Sequence, residues 1–225
     1  MIMRKSKLYI IIYVLTLIMS IPFLLACSST SALKEGQQLF TGLKPIEYSN
    51  YEKSGYADST MLEMENVLAS APNGALFGSS YYRTPFPVRL WIWNAFSQSE
   101  GGVAKWITKA FGSKPKLMSN VNPQLRAQVA ENQLDKYGYF NGKVTYDVIT
   151  DNNPKKAKVA YHVDMGHLWT LDTVKYLGFP NEGQQLIDST RNLAVIRTGS
   201  PFNVSRLEEE RQRIQKEKEE QERRE

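Results

Sequence analysis

The sequence predicts an α+β fold. A strand, two helices and a β-hairpin form one domain in the order β-α-α-β-β, with an aromatic-rich insertion between the helices and an incomplete second unit behind. Three observations predict it. A helix-period stretch at 122–138 runs directly into two segments of strict apolar–polar alternation. Tyr81, Tyr82, Phe86, Trp91, Trp93, Phe96, Trp106 and Phe111 crowd between two regions of ordinary composition. Residues 206–225 carry fifteen charged side chains out of twenty, so the chain ends without another hairpin to close a second sheet.

The first residues address the chain. Arg4, Lys5 and Lys7 precede nineteen uncharged residues, Leu8–Ala26, which Leu24-Leu25-Ala26-Cys27 closes. That length also suits a retained membrane anchor, and the small residue before the cut suits an ordinary signal peptide. The spacing of Leu and Ala before a cysteine favours a lipoprotein signal over residues 1–26, with the Cys27 thiol taking a diacylglycerol. Two or more acyl chains anchor a protein stably where one holds it only marginally. Cys27 is the only cysteine, so the chain contains neither an internal disulfide nor a thiolate metal cluster. Removing residues 1–26 takes three of the five excess positive charges and leaves a mature chain near +2. That balance gives no footprint for nucleic acid.

Residues 27–38 are small and polar and read as a flexible tether. A domain is expected over 39–166, with its insertion at about 72–114. Leu39–Tyr48 reads as a strand with Pro45 marking an edge or a bulge. Ser59-Thr60 precedes Met61, Leu62, Met64, Val67 and Leu68, a short amphipathic helix that ends before Pro72-Asn73-Gly74. The insertion is either a satellite aromatic core under a long loop or a patch seated at lipid headgroups, the boundary that Trp and Tyr suit. Asn122 is an N-cap candidate, Pro123 a first helical residue, and Gly138 a left-handed helix end. Leu125, Val129, Leu134 and Tyr137 supply the apolar stripe between them. In the hairpin, Val144, Tyr146 and Val148 share one face, as do Val159, Tyr161 and Val163, and Asp151-Asn152-Asn153-Pro154 forms the turn.

The second unit spans 167–225. Leu168–Phe179 reads as a strand and Glu182–Leu193 as a helix. Ser205 and Glu208 form a capping box for a charged helix with Val204, Leu207 and Ile214 on one face. Residues 206–225 lack an apolar heptad, which argues against a coiled coil. His162 falls on the polar face of its strand. His167 could pair with Asp164, but two ligands fall short of a metal site. No nucleophile elbow and no phosphate-cradling glycine loop appears, so the expectation is no enzyme, no cofactor, no metal and no small-molecule substrate.

Four stretches carry a resemblance to a known family. Gln37–Tyr48 resembles the opening strand of a POTRA domain, and Pro72–Gly78 with Arg89–Phe96 is similar to an insertion between its helices. Leu134–Val144 looks like the family's helix-end turn into the second strand. Thr198–Val204 with Leu207 and Arg211 resembles the loop and second helix of a following repeat. Together, over roughly residues 35–214, they resemble the front end of BamA/TamA-type outer-membrane assembly proteins, in a lipidated, TamA-like branch. The resemblance implies a lipid-anchored outer-membrane location facing the periplasm, with unfolded outer-membrane proteins or assembly partners as ligands. It implies capture by strand addition, which is placed on the backbone of Lys143, Val144, Thr145, Tyr146, Asp147, Val148 and Ile149. The same strand could instead pair with a neighbouring repeat or with nothing. Members of the family continue into a barrel, so the expectation is a truncated product; the alternative is a stand-alone periplasmic lipoprotein adaptor.

Overall fold

The computed structural model describes residues 29–223. The expected lipoprotein signal over residues 1–26 and the expected lipidation at Cys27 lie outside the described residues. Strand β1 (Leu39–Leu43) and strand β2 (Glu47–Ser49) are two halves of the expected first strand. Pro45 stands between them, where a residue without an N–H interrupts any ladder. Helix α1 (Gly55–Leu68) follows. The insertion holds α2 (Val88–Phe96) and α3 (Gly102–Phe111), and the one-turn α4 (Met118–Val121) leads into α5 (Pro123–Lys136). The hairpin strands are β3 (Lys143–Thr150) and β4 (Lys156–Asp164), within a residue of the alternation read from sequence. Helices α6 (Asn181–Ser189) and α7 (Val204–Glu222) end the described chain. The fold is α+β, built on one small sheet.

In that sheet β4 is central. β1 pairs with it in parallel at Leu39↔Lys156, Phe40↔Ala157 and Leu43↔Val159, with a register irregularity between Phe40 and Leu43. β2 continues along the same side at Glu47↔His162, Tyr48↔Val163 and Ser49↔Asp164. β3 takes the other side. A five-residue connection reverses the chain, so β3 and β4 run antiparallel.

The described residues form two compact units, and β3 and β4 contribute to both. One unit takes the residues up to Pro45, Ser70–Pro123 and Asp147–Ala160. Here β1 is buried along its whole length, and Leu33, Leu39 and Leu90 form a core with Leu117 against it. Leu33 belongs to the segment read as a tether, which folds into two turns here. Asn73 closes the base of the helical insertion with both ends of its amide. Its Nδ2 donates to Ser113 Oγ at 3.1 Å and to the Lys114 carbonyl at 2.8 Å, and its Oδ1 accepts from the Lys116 amide at 2.6 Å.

The other unit takes Ile46–Ala69, Gln124–Tyr146 and Tyr161 onward. Helix α1 buries Ala57, Thr60, Met64 and Leu68, a spacing of three and four that lies on one face. The hairpin buries Val144, Tyr161 and Val163. Arg126 Nη1 reaches the Val67 and Ala69 carbonyls at 3.1 and 2.9 Å, placing a cation on the C-terminal end of α1. The Tyr56 hydroxyl lies 3.0 Å from the Tyr137 carbonyl and 3.2 Å from that of Phe202, and it accepts from Asn203 Nδ2.

Several expectations are corrected. α1 starts at Gly55 rather than near Met61, because the Ser54 side chain accepts from the Ala57 amide and caps the helix there. Asn122 is left-handed (φ 46°, ψ 71°) and closes α4 directly before Pro123 opens α5. Leu125 and Val129 are 53% and 46% exposed, while Ala127, Ala130 and Leu134 are buried. Helix α5 therefore turns its small residues inward, and two of the four expected stripe positions lie on its opposite side. Leu168–Phe179 is not a strand. Trp169 bonds the backbone of Gly138 and Phe202, and Leu171 that of Gly199 and Ser200, with an isolated bridge at Thr170↔Pro201. The cap of α7 is Asn203, which accepts from the Arg206 amide, and Glu208 instead forms an ion pair with Arg211 at 2.6 Å.

The run Glu208–Glu210 also hides a buried carboxylate. Glu210 is 2% exposed; it accepts from Tyr176 Oη at 2.8 Å, from the Val195 amide at 2.7 Å, and from Arg213 Nη2 at 2.7 Å. Burial raises this carboxyl, but the bonds from Arg213, Val195 and Tyr176 outweigh it and the net shift is downward. A depressed carboxyl contributes stability above its unfolded value of about 4.3 and loses it as pH falls through the folded value. Glu210→Ala should therefore cost about 3 kcal/mol in urea unfolding at neutral pH, since it strands Arg213 in a mostly buried site, and the difference from wild type should shrink on acidification.

Gly138 ends α5 at φ +83°, and a Cβ there would lie 2.8 Å from the Phe202 carbonyl oxygen and 3.1 Å from that of Trp169. Its own carbonyl accepts from the Trp169 amide. Gly138→Ala should lower stability by about 2 kcal/mol in the same measurement, because neither the backbone conformation nor the space suits a side chain.

Candidate functional site: the margin of the sheet at β3

A sheet offers its surroundings the hydrogen-bonding groups along its outer strands, so the state of each margin decides what it can bind. The β1 margin is closed by the insertion. The Phe40 amide donates to the Lys116 carbonyl and the Leu43 amide to that of Ser80, both at 2.8 Å; the Met118 amide donates to the Gln38 carbonyl at 2.9 Å. Leu39 bridges Leu117 in antiparallel fashion. Gly42 is required at this seam, since a Cβ would lie 2.8 Å from the Ser80 carbonyl oxygen at φ +124°.

The β3 margin carries no further strand among the described residues. Which of its groups point outward follows from parity along β4. The Lys155, Ala157 and Val159 carbonyls accept from Leu39, the Thr41 hydroxyl and Lys44, so the odd-numbered residues of β4 face β1. The even-numbered ones therefore face β3. At the hairpin turn the Asp151 amide donates to the Lys156 carbonyl, so the odd-numbered residues of β3 face β4. Val144, Tyr146, Val148 and Thr150 are left with N–H and C=O directed away from the sheet.

Val144 fits this parity. Its amide donates to Glu131 Oε2 at 3.3 Å, and the same carboxylate accepts from Lys143 Nζ at 2.9 Å. Helix α5 thus caps one end of the margin with a side chain, and the outward amides of Tyr146, Val148 and Thr150 remain for a partner. The Glu131 carboxyl is held below the usual carboxylate range, chiefly by the Lys143 hydrogen bond and also by the Val144 amide, against the opposing effect of burial. Lys143 is pushed up by the same pair.

The side chains grade along the strand. Val144 is buried, Tyr146 half-buried, and Lys143, Thr145, Asp147, Val148 and Ile149 are exposed. All seven positions assigned from sequence thus lie together on one continuous strand. Sequence reasoning missed Glu131, which nothing in a polar helix sequence distinguishes from its neighbours; only its position opposite the start of β3 gives it a role.

The two histidines are engaged elsewhere. His162 Nδ1 lies 3.0 Å from Glu47 Oε2, and the His167 ring stands edge-on to Trp169 at 5.6 Å. Asp164 accepts from Asn50 Nδ2 at 2.8 Å. A cleft of about 970 Å³ lies alongside Asn50, Tyr56, Asp164 and His167, but these groups form no nucleophile–base pair. Among the described residues there is no group of three or more His, Cys, Asp or Glu able to hold a metal, and no helix long and apolar enough to cross a membrane. Comparison of the chain with protein-family models, curated proteins and solved structures finds no match.

Removing the Glu131 carboxylate should free the end of this margin. Glu131→Ala is expected to speed hydrogen exchange of the Val144 amide by about tenfold, with β3 odd-position amides unchanged. Acidification slows exchange of every amide intrinsically, but relative to that intrinsic rate Val144 of the wild type should lose protection, because a carboxylate with a lowered value holds the amide above that value and releases it below. Unchanged Val144 protection in both cases would show that the carboxylate does not protect it.

Proposed function

We propose that this chain is a lipid-anchored, periplasm-facing POTRA-type segment of an outer-membrane protein assembly factor, and that it captures or positions client proteins by strand addition along β3. The open β3 margin carries the reading. The closed β1 margin supports it by contrast, since the eight-residue β3 margin carries no such cover among the described residues. The order of β1/β2, α1, α5, β3 and β4 resembles the β-α-α-β-β order of POTRA domains, and the paired helices α2 and α3 sit where the insertion was expected. The lipid on Cys27 would hold this margin near the membrane into which clients are inserted.

The chemistry is main-chain pairing. An incoming strand in either direction bonds to the outward amides and carbonyls of Tyr146, Val148 and Thr150, each bond contributing about 1 kcal/mol net. Client side chains are read only weakly, through the exposed Val148 and Ile149 and the half-buried Tyr146. Such a site accepts many sequences that share extended, alternating backbone, which is the common property of barrel-forming chains.

Parity allows a clean test. Proline at 148 removes an outward N–H and leaves the β3–β4 ladder intact, whereas proline at 145 breaks the hairpin itself. With a photo-crosslinker at Thr145 and a nascent barrel protein as client, Val148→Pro should cut crosslinking by about tenfold or more, and Val148→Ala should have little effect. Labels appearing only at positions remote from β3, or a Val148→Pro variant that is folded and crosslinks normally, would rule out capture at this margin.

A further inference from the structure

The insertion has an exposed face that client capture does not use. Helix α3 reads Gly102-Val103-Ala104-Lys105-Trp106-Ile107-Thr108-Lys109-Ala110-Phe111. Thr108 is buried, its hydroxyl bonded to the Ala104 carbonyl, and Ala104 is half-buried, so this side of the helix faces the protein. Val103, Trp106 and Phe111 are 74%, 62% and 51% exposed, and the Trp106 and Phe111 rings meet edge-on at 5.8 Å. Positions 103, 106, 107 and 110 fall on one face at helical spacing. Lys109 flanks Trp106 one turn on, and Lys105 lies beyond it. In the same unit Phe77, Tyr82, Phe86 and Val88 are also exposed.

Charge identifies what this face fits. Residues 71–120 contain six basic side chains and one acidic one, Glu100. Of the basic ones, Arg89, Lys105, Lys109 and Lys114 are exposed. An amphipathic helix with Trp, Phe and Val on one side and lysines beside it has the composition of an element lying in a bilayer interface, with aromatic rings at headgroup depth and ammonium groups reaching phosphates. A protein partner covering this face would have to supply a matching acidic rim, whereas an anionic lipid surface supplies one everywhere.

We propose that the exposed face of α3 docks in the headgroup region of an anionic phospholipid bilayer, giving the chain a second membrane contact besides any lipid on Cys27. This inference stands apart from strand capture at β3, and either can fail alone.

The test uses the full chain on vesicles of phosphatidylethanolamine with phosphatidylglycerol, or of phosphatidylcholine alone, carrying brominated acyl chains. Trp106 is made the sole tryptophan by Trp91→Phe, Trp93→Phe and Trp169→Phe. Its fluorescence should be quenched on the anionic vesicles, and Lys105→Gln with Lys109→Gln should shift the docked-to-undocked ratio by roughly thirtyfold. Should the tryptophan replacements disturb folding, hydrogen exchange of the 102–111 amides in the wild-type chain gives the same readout, slowed on anionic and not on neutral vesicles. Trp106 unquenched on anionic vesicles, with no slowing of exchange, would overturn the proposal and leave the face to a protein partner. Quenching indifferent to headgroup and to the two lysines would overturn it as well, since attachment at the N-terminus alone then accounts for proximity.

Discussion

β4 is hydrogen-bonded on both sides, and what the sheet presents to its surroundings follows from that. Its odd-numbered residues are committed to β1 and β2 and its even-numbered ones to β3. A strand held this way fixes the register of its neighbours, because a slip of one residue would carry Val159, Tyr161 and Val163 from the buried face to solvent. It also fixes which groups of β3 point outward. The margin is a consequence of the core: the pattern that buries Tyr161 and Val163 also turns the amides of Tyr146 and Val148 away from the sheet.

The connections between elements are held by polar groups with more than one partner. Asn73, Tyr56, Arg126 and Glu210 each join two or three chain segments, mostly through backbone carbonyls and amides that would otherwise lack partners. In the second half of the chain this replaces a sheet. Residues 167–203 form no strand, and Glu210 gathers Tyr176, Val195 and Arg213 around one buried carboxylate. Such a centre is costly to break once formed, because each partner is left desolvated.

Sequence was most informative where one period dominated. The hairpin was legible because alternation over eight residues fits nothing else, and Gly138 because a helix end needs a left-handed residue. Helix α5 was legible as a helix but not in its orientation: Leu125 and Val129 look like core positions, and only packing reveals that Ala127 and Ala130 face inward. Leu168–Phe179 has strand composition but a partner for only a few residues, and β-propensity expresses itself only where a ladder exists. Glu210 lies in a charged run that reads as solvated, yet it falls between Leu207 and Ile214 at spacings of three and four, on one face of α7, and is buried against Tyr176 and Val195. That spacing was the available signal. The strand β3 could be placed by sequence, whereas the closure of the β1 margin by Ser80 and Lys116 could not, because it joins residues about forty and eighty positions apart.

An open margin is also a hazard, since it will pair with any extended chain, including another copy of itself. This one is short and partly blocked. Glu131 takes the amide of Val144, Lys143 and Asp147 place charges beside it, and the turn at 151–155 ends it. What remains contributes a few hydrogen bonds of about 1 kcal/mol each, set against several kcal/mol for bringing two molecules together. In free solution such a site binds weakly and releases readily. Anchoring changes the balance without adding a contact, because confinement to a membrane surface raises the effective concentration of any client delivered to the same surface. If the chain is tethered and takes clients as proposed, a weak margin would hold an extended client briefly and then let it go, with the strength of the interaction set by geometry and confinement more than by side-chain recognition.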